Sequence, residues 1–139
     1  AFAGLSCRVA FHGAAAPHEM PDLFAAADLA VWPAIKESWS MALLEAQAAG
    51  LPAVAGNSGG VSGIVEDGIT GLLTPEGDAE AFAAAVRRLL DPGLRTRMGT
   101  AASRRAERHH SLEAASAALD AALSDTLGRP TPTGKAETA

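Results

Sequence analysis

A chain of 139 residues suits one domain with a single core, and a 48% hydrophobic content is enough to fill it. The net charge is −5 and only two lysines occur, Lys36 and Lys135, which excludes a duplex-nucleic-acid binder that needs clustered cations. A lone Cys7 excludes an internal disulfide, and no apolar run reaches the ~18–20 residues of a membrane helix.

No signal peptide is visible, so a soluble cytoplasmic protein is the expectation, and Cys7 reads as an ordinary buried thiol. The first residue is Ala rather than Met and stands close to an apolar run, which reads as a cut inside a longer protein. Alanine fills 33 positions; it favours helix but little volume, so the core must lean on Leu, Val, Ile, Phe and Trp.

Short apolar runs alternate with longer helical stretches, the pattern of a parallel α/β layer structure. A first strand is predicted over residues 7–11, followed by His12 and Gly13. A short helix follows over 20–27, where Pro21 is tolerated in the first turn. Strands are predicted at 29–32, stopped by Pro33, at 51–55 and at 70–73. Between them lie a strong helix over 38–49, closed by Gly50, and a short one over 61–66. Asp78 is a good N-cap for a helix over 79–90, with Phe82, Val86, Leu89 and Leu90 at helical spacing. Two further helices are predicted over 94–108 and 112–127. Residues 1–127 thus form the domain, and 128–139, rich in Pro, Thr and Gly, read as a disordered tail.

In such a sheet ligands bind outside the carboxyl ends of the strands. The segment from Glu37 to Ala46 leaves one of those ends and opens a helix. With Ser38 as N-cap, the N–H groups of Trp39, Ser40 and Met41 lack intrahelical partners, and with the helix dipole they form an anion site suited to a pyrophosphate. Glu45, seven residues beyond Ser38, returns to nearly the same face roughly 10 Å along the axis, about the reach from a pyrophosphate to its ribose. Its neighbours three and four positions away are Met41, Ala42, Ala48 and Ala49, none cationic. A ribose diol would satisfy this carboxylate; an exposed surface glutamate, or one paired to a distant arginine, is the alternative.

Glu37 and Glu45, with seven residues between them, resemble the Glu-x7-Glu motif of family-4 (group 1) retaining glycosyltransferases. The resemblance extends in one register over residues 7–110. It includes Val9-Ala10-Phe11-His12-Gly13, Leu23-Phe24, Ala27-Asp28 and Val31-Trp32-Pro33. It continues through Glu45-Ala46, Ala49-Gly50-Leu51-Pro52-Ala53-Val54-Ala55, Gly59-Gly60, Ile64-Val65, Asp67-Gly68, Thr70-Gly71-Leu72-Leu73 and Gly77-Asp78. It implies the C-terminal donor-binding domain of a GT-B fold: a Rossmann-like parallel sheet flanked by helices, N-terminally incomplete, with further helices at its C-terminus. It also implies a UDP-, GDP- or ADP-sugar donor, with Glu37 facing the sugar as the catalytic candidate and Glu45 holding the ribose. The amides from Ser38, Trp39, Ser40 and Met41, and the Gly59-Gly60 loop, would meet the diphosphate. Gly13, with His12 and Ala14, would lie near the base. No metal or further cofactor is implied.

The chain departs from the family pattern at two positions. Ser40 stands where the family usually has Gly after the aromatic, and Gly63 where Gly-Gly-x-x-Glu-Ile-Val has its carboxylate. The family's phosphate-gripping Arg and Lys precede residue 7 and are not in this chain, nor is the acceptor-binding N-terminal domain, so the chain alone is expected to bind donor weakly and to be inactive. Lys36 is the one lysine placed to compensate. A peripheral membrane location would come through the missing domain.

A dinucleotide fingerprint at Gly60-x-x-Gly63 fails, because Ser58 holds the place of its first glycine. His109 and His110 are adjacent and cannot share a metal as an i,i+4 pair would; they read as a solvated helix end, and Arg104, Arg105 and Arg108 as a hydrated face. The competing function is a non-catalytic or vestigial nucleotide-binding module; a purely structural partner domain would bind no nucleotide.

Overall fold

The computed structural model describes residues 9–128. The chain opens irregularly and makes a 3-10 turn, Pro17–Glu19, that runs into α1 (Met20–Ala25). Then follow β1 (Ala30–Trp32), α2 (Met41–Ala48), β2 (Ala53–Asn57), α3 (Val61–Ile64), β3 (Gly71–Pro75), α4 (Ala79–Arg88), α5 (Pro92–His110) and α6 (Leu112–Leu127). The three strands form one parallel sheet in the order β1-β2-β3, with Val31 beside Val54 and Val54 beside Leu72.

Side chains alternate across a strand, and this alternation divides the core into two layers. Ala53 and Ala55 face α2 and α3, where they join Ala34, Leu43, Val61, Ile64 and Val65. Val54 and Leu72 face the other way, against Ala85, Leu89 and Met98 of the helical layer from α4 and α5. The sheet is covered on both faces, the parallel α/β layering that the alternating pattern predicts and the Rossmann-like arrangement that the resemblance implies. The small alanines of β2 let α2 and α3 lie close.

The predicted strand over residues 7–11 is not found. Cys7 and Arg8 lie outside the described residues, and residues 9–11 are irregular, with Phe11 79% exposed. A strand needs a neighbour for its ladder and a core face for its side chains. The outer side of β1 pairs with no strand among the described residues, and Val31 on it is half-exposed. At the other end α6 stops where predicted, with Gly128 at φ +63 as its left-handed cap. The rest of the predicted tail, 129–139, lies outside the described residues.

Two polar devices fix α2 to the sheet. Gln47, buried on α2, donates from Nε2 to the carbonyls of Leu51 (3.1 Å) and Thr70 (3.0 Å), tying the helix end to the residues that lead into β2 and β3. Behind it Gly50 and Gly99 bring α2 and α5 into backbone contact, since a Cβ on Gly99 would collide with the Gly50 carbonyl. Gln47→Leu keeps the volume but strands two buried carbonyls. It is expected to lower stability by about 2–4 kcal/mol in urea unfolding, with the slope unchanged; a loss under ~0.5 kcal/mol would show that these bonds contribute nothing.

Candidate donor site

The segment between β1 and α2 takes its shape from the loop after β2. Gly60 N–H donates to the Ser38 carbonyl at 3.0 Å, and the Ser58 hydroxyl accepts from Glu37 N–H at 3.1 Å. Gly59 has φ +52, and a Cβ there would collide with the Glu37 carbonyl; one on Gly60 would collide with that of Ser38. The close backbone approach that the two glycines announce is therefore made to the Glu37–Ser38 backbone.

This contact holds Ser38 outside the helix. The N-cap is Ser40, not Ser38: Ser40 is extended and buried, and its Oγ accepts from Leu43 N–H at 3.3 Å. The N–H groups of Trp39, Ser40, Met41 and Ala42 have no acceptor among the described residues. The free amides predicted over 39–41 thus extend to Ala42, at the positive end of the α2 dipole. Glu45 lies one turn beyond Met41, nearer the helix start than Ser38 as cap would have placed it.

Glu45 is exposed, and its carboxylate has neither ion pair nor hydrogen bond among the described residues. It opens into a cleft of about 590 Å³ lined by Ala15, Pro17, Met20, Pro21, Phe24, Ala48 and Ala49. Sequence reasoning had not named this wall; its signal is the Pro-rich, apolar stretch 15–24, which faces α2 across the cleft. Gly13, at φ +69, stands two residues before Ala15, and no heavy atom lies within 4 Å of where its Cβ would be.

Glu37 is half-buried, and its Oε2 accepts from Trp32 Nε1–H at 3.2 Å. It borders a separate depression of about 260 Å³ with Trp32, Pro33, Ala34 and Ile35, so the two glutamates do not share one cavity. Lys36 adopts φ +52, and its N–H donates to Glu76 Oε1 at 3.0 Å.

Two surface readings need correction. Arg105 is not on a hydrated face: Nη1 bonds Glu66 Oε2 at 3.1 Å, and Nη2 reaches the Gly63 carbonyl at 3.4 Å. His110 is only partly solvated: its Nε2 is buried, and its ring and that of Trp39 meet at 65° with centroids 6.0 Å apart. Burial first, then the charges of Arg105 and His109, lower its pKa, with the nearby Gly63 backbone acting the other way. His109 remains exposed, as expected of a neighbour 100° around the helix. Among the described residues no cluster of three metal-ligating side chains occurs, and no helix is long and apolar enough to cross a membrane.

A three-stranded parallel sheet covered by helices on both faces is the Rossmann-like layer of a GT-B fold. Residues 1–105 match the family model for glycosyl transferases group 1, and the chain belongs to that family. It is 40% identical over 126 residues to a D-inositol 3-phosphate glycosyltransferase of Streptomyces griseus, covering 88% of this chain and 27% of the relative. It is 37% identical over 107 residues to the protein of that name from Acidothermus cellulolyticus, covering 77% and 24%. The chain thus spans about a quarter of the length of these relatives. Among solved structures, a sucrose-phosphate synthase from Thermosynechococcus elongatus superposes with a TM-score of 0.80 at 30% identity, covering 89% of this chain and 31% of that one. Anabaena Alr3699/HepE, solved in complex with UDP-glucose, superposes at 0.73 and 27% identity, covering 90% and 33%.

With Ser40 as the cap, Ser40→Ala is expected to cost about 1 kcal/mol and Ser40→Gly, the family's usual residue, only a few tenths. Thermal unfolding of the three proteins checks this; an unchanged stability for Ser40→Ala would show that the hydroxyl caps nothing.

Proposed function

We propose that this domain binds the nucleoside-diphosphate sugar from which its parent protein transfers the sugar with retention of configuration. The unpaired carboxylate of Glu45, facing an open cleft beside a helix start, carries this reading. Glu45 accepts the ribose hydroxyls, whose charge-assisted bonds replace those it makes to water. The free amides of Trp39, Ser40, Met41 and Ala42 receive the diphosphate, with Ser38 holding their approach through its carbonyl. The base lies toward Gly13 and the apolar wall at Ala15 and Pro17. Gly59 and Gly60 act on the donor through the Glu37–Ser38 backbone that they hold.

During transfer, negative charge grows on the leaving diphosphate. Pre-oriented amides stabilise it without reorganisation, aided by cations from a part of the parent outside this chain. Glu37, fixed by the Trp32 indole, presents a carboxylate to the sugar. No covalent nucleophile and no metal are required of this domain. The acceptor-binding half of the cleft is an N-terminal domain of the parent, and this chain alone does not turn over. The solved complex of Anabaena HepE with UDP-glucose supports a sugar nucleotide as the ligand class.

A non-catalytic module that holds a nucleotide is the second reading, favoured by Gly63 in place of the family's carboxylate. Both readings require nucleotide binding. Glu45→Ala is expected to weaken UDP, GDP or ADP binding about tenfold while leaving inorganic pyrophosphate unchanged, measured by calorimetry. Equal weakening of nucleotide and pyrophosphate would remove Glu45 from the ribose.

A further inference from the structure

Glycine is a poor helix former, yet Gly63 sits inside α3, where alanine would be the better choice. The indole of Trp39 occupies the space its side chain would need. A Cβ on Gly63 would stand 3.0 Å from Trp39 Cζ3 and 3.4 Å from Cη2, and one on Gly60 would stand 3.0 Å from Cε3. All three carbons belong to the six-membered ring, which lies against the backbone of Gly60 and Gly63. Contacts this short require the indole to give by a few tenths of an ångström before a side chain is added at 63.

The end of α5 closes over the same ring. His110 meets it edge-on, and Arg105 reaches from the Glu66 carboxylate to the Gly63 carbonyl. The depressed pKa of His110 keeps a neutral ring against the indole at pH 7. Trp39 is still 44% exposed, so one side is seated and the other faces solvent. Its main chain carries the first of the free amides before α2, and the next residue is the buried cap Ser40.

We propose that Trp39 is a positioning residue whose indole, seated in the notch that Gly63 leaves against α3 and closed by His110, sets the direction in which the chain enters α2 and presents its amides. Gly63 is the other half of the device. A side chain at 63 crowds an indole in this seat, so the glycine at 63 and the tryptophan at 39 fit as a pair. The proposal deepens the donor-site reading and rests on it for the ligand, but not for the packing.

The test is a double-mutant cycle on the full 139-residue chain: Gly63→Ala, Trp39→Phe, and both together, each measured for Tm and for UDP affinity by NMR titration. Phenylalanine lacks the second fused ring and leaves room for a Cβ. Gly63→Ala alone is expected to lower Tm by about 4 °C and UDP affinity at least fivefold. In the Trp39→Phe background the same substitution is expected to raise Tm and to leave UDP affinity within about twofold, a rescue that loss of packing alone would not produce. Gly63→Ala raising Tm equally in both backgrounds would overturn the seat. Coupling in Tm with UDP affinity unmoved would overturn the positioning role. A wild-type chain that binds no nucleotide would overturn the donor-site reading itself, and the positioning role with it, while the Tm cycle would still decide the seat.

Discussion

The site depends on one main-chain contact, the hydrogen bond from Gly60 N–H to the Ser38 carbonyl. It joins the loop after β2 to the segment after β1, two neighbouring strand ends of a parallel sheet. Only glycine allows the approach on the β2 side, because a Cβ at 59 or 60 would occupy the carbonyl oxygens of Glu37 and Ser38. The contact keeps Ser38 out of the helix, hands the cap to Ser40 and leaves the preceding amides without acceptors. These free amides are a consequence of backbone geometry, with side chains serving to hold the backbone in place.

The same contact separates the surroundings of two acids that the Glu-x7-Glu spacing brings close in sequence. Glu37 is on the held segment, where the Trp32 indole restrains its carboxylate. Glu45 is on the helix beyond it, facing a different cleft walled by residues 15–24. In the proposed function, a donor that spans both lies along the start of α2, with its sugar at one acid and its ribose at the other. Ser40 and Gly63 are both accommodated within the fold of this group 1 glycosyl transferase domain. Ser40 supplies the cap, and Gly63 makes way for the indole.

Local rules reached most of the fold. Asp78 caps α4 through Ala81 N–H, the apolar strands at 53–57 and 71–75 alternate between the two helical layers, and Gly128 ends α6. What local rules missed is tertiary in origin. Two serines two residues apart are equally good caps, and the choice between them rests on a bond to Gly60, 22 positions away. His110 reads as solvated until α5 is packed against α2 and α3 and its ring meets Trp39. Residues 9–11 have a strand-like composition, but composition does not supply the neighbouring strand a ladder requires. At the site, the free amides were legible as a consequence of helix geometry, whereas the wall of the Glu45 cleft was not, because it is built from plain apolar residues of another segment.

The account stands or falls on where a diphosphate touches the chain. Titration of the isotopically labelled protein with UDP, followed through its backbone amide resonances, measures this directly. The largest shifts are expected on Trp39, Ser40, Met41 and Ala42, with smaller ones at Glu45 and at Ala15. Shifts confined to α5 and α6, with the start of α2 unmoved, would contradict it.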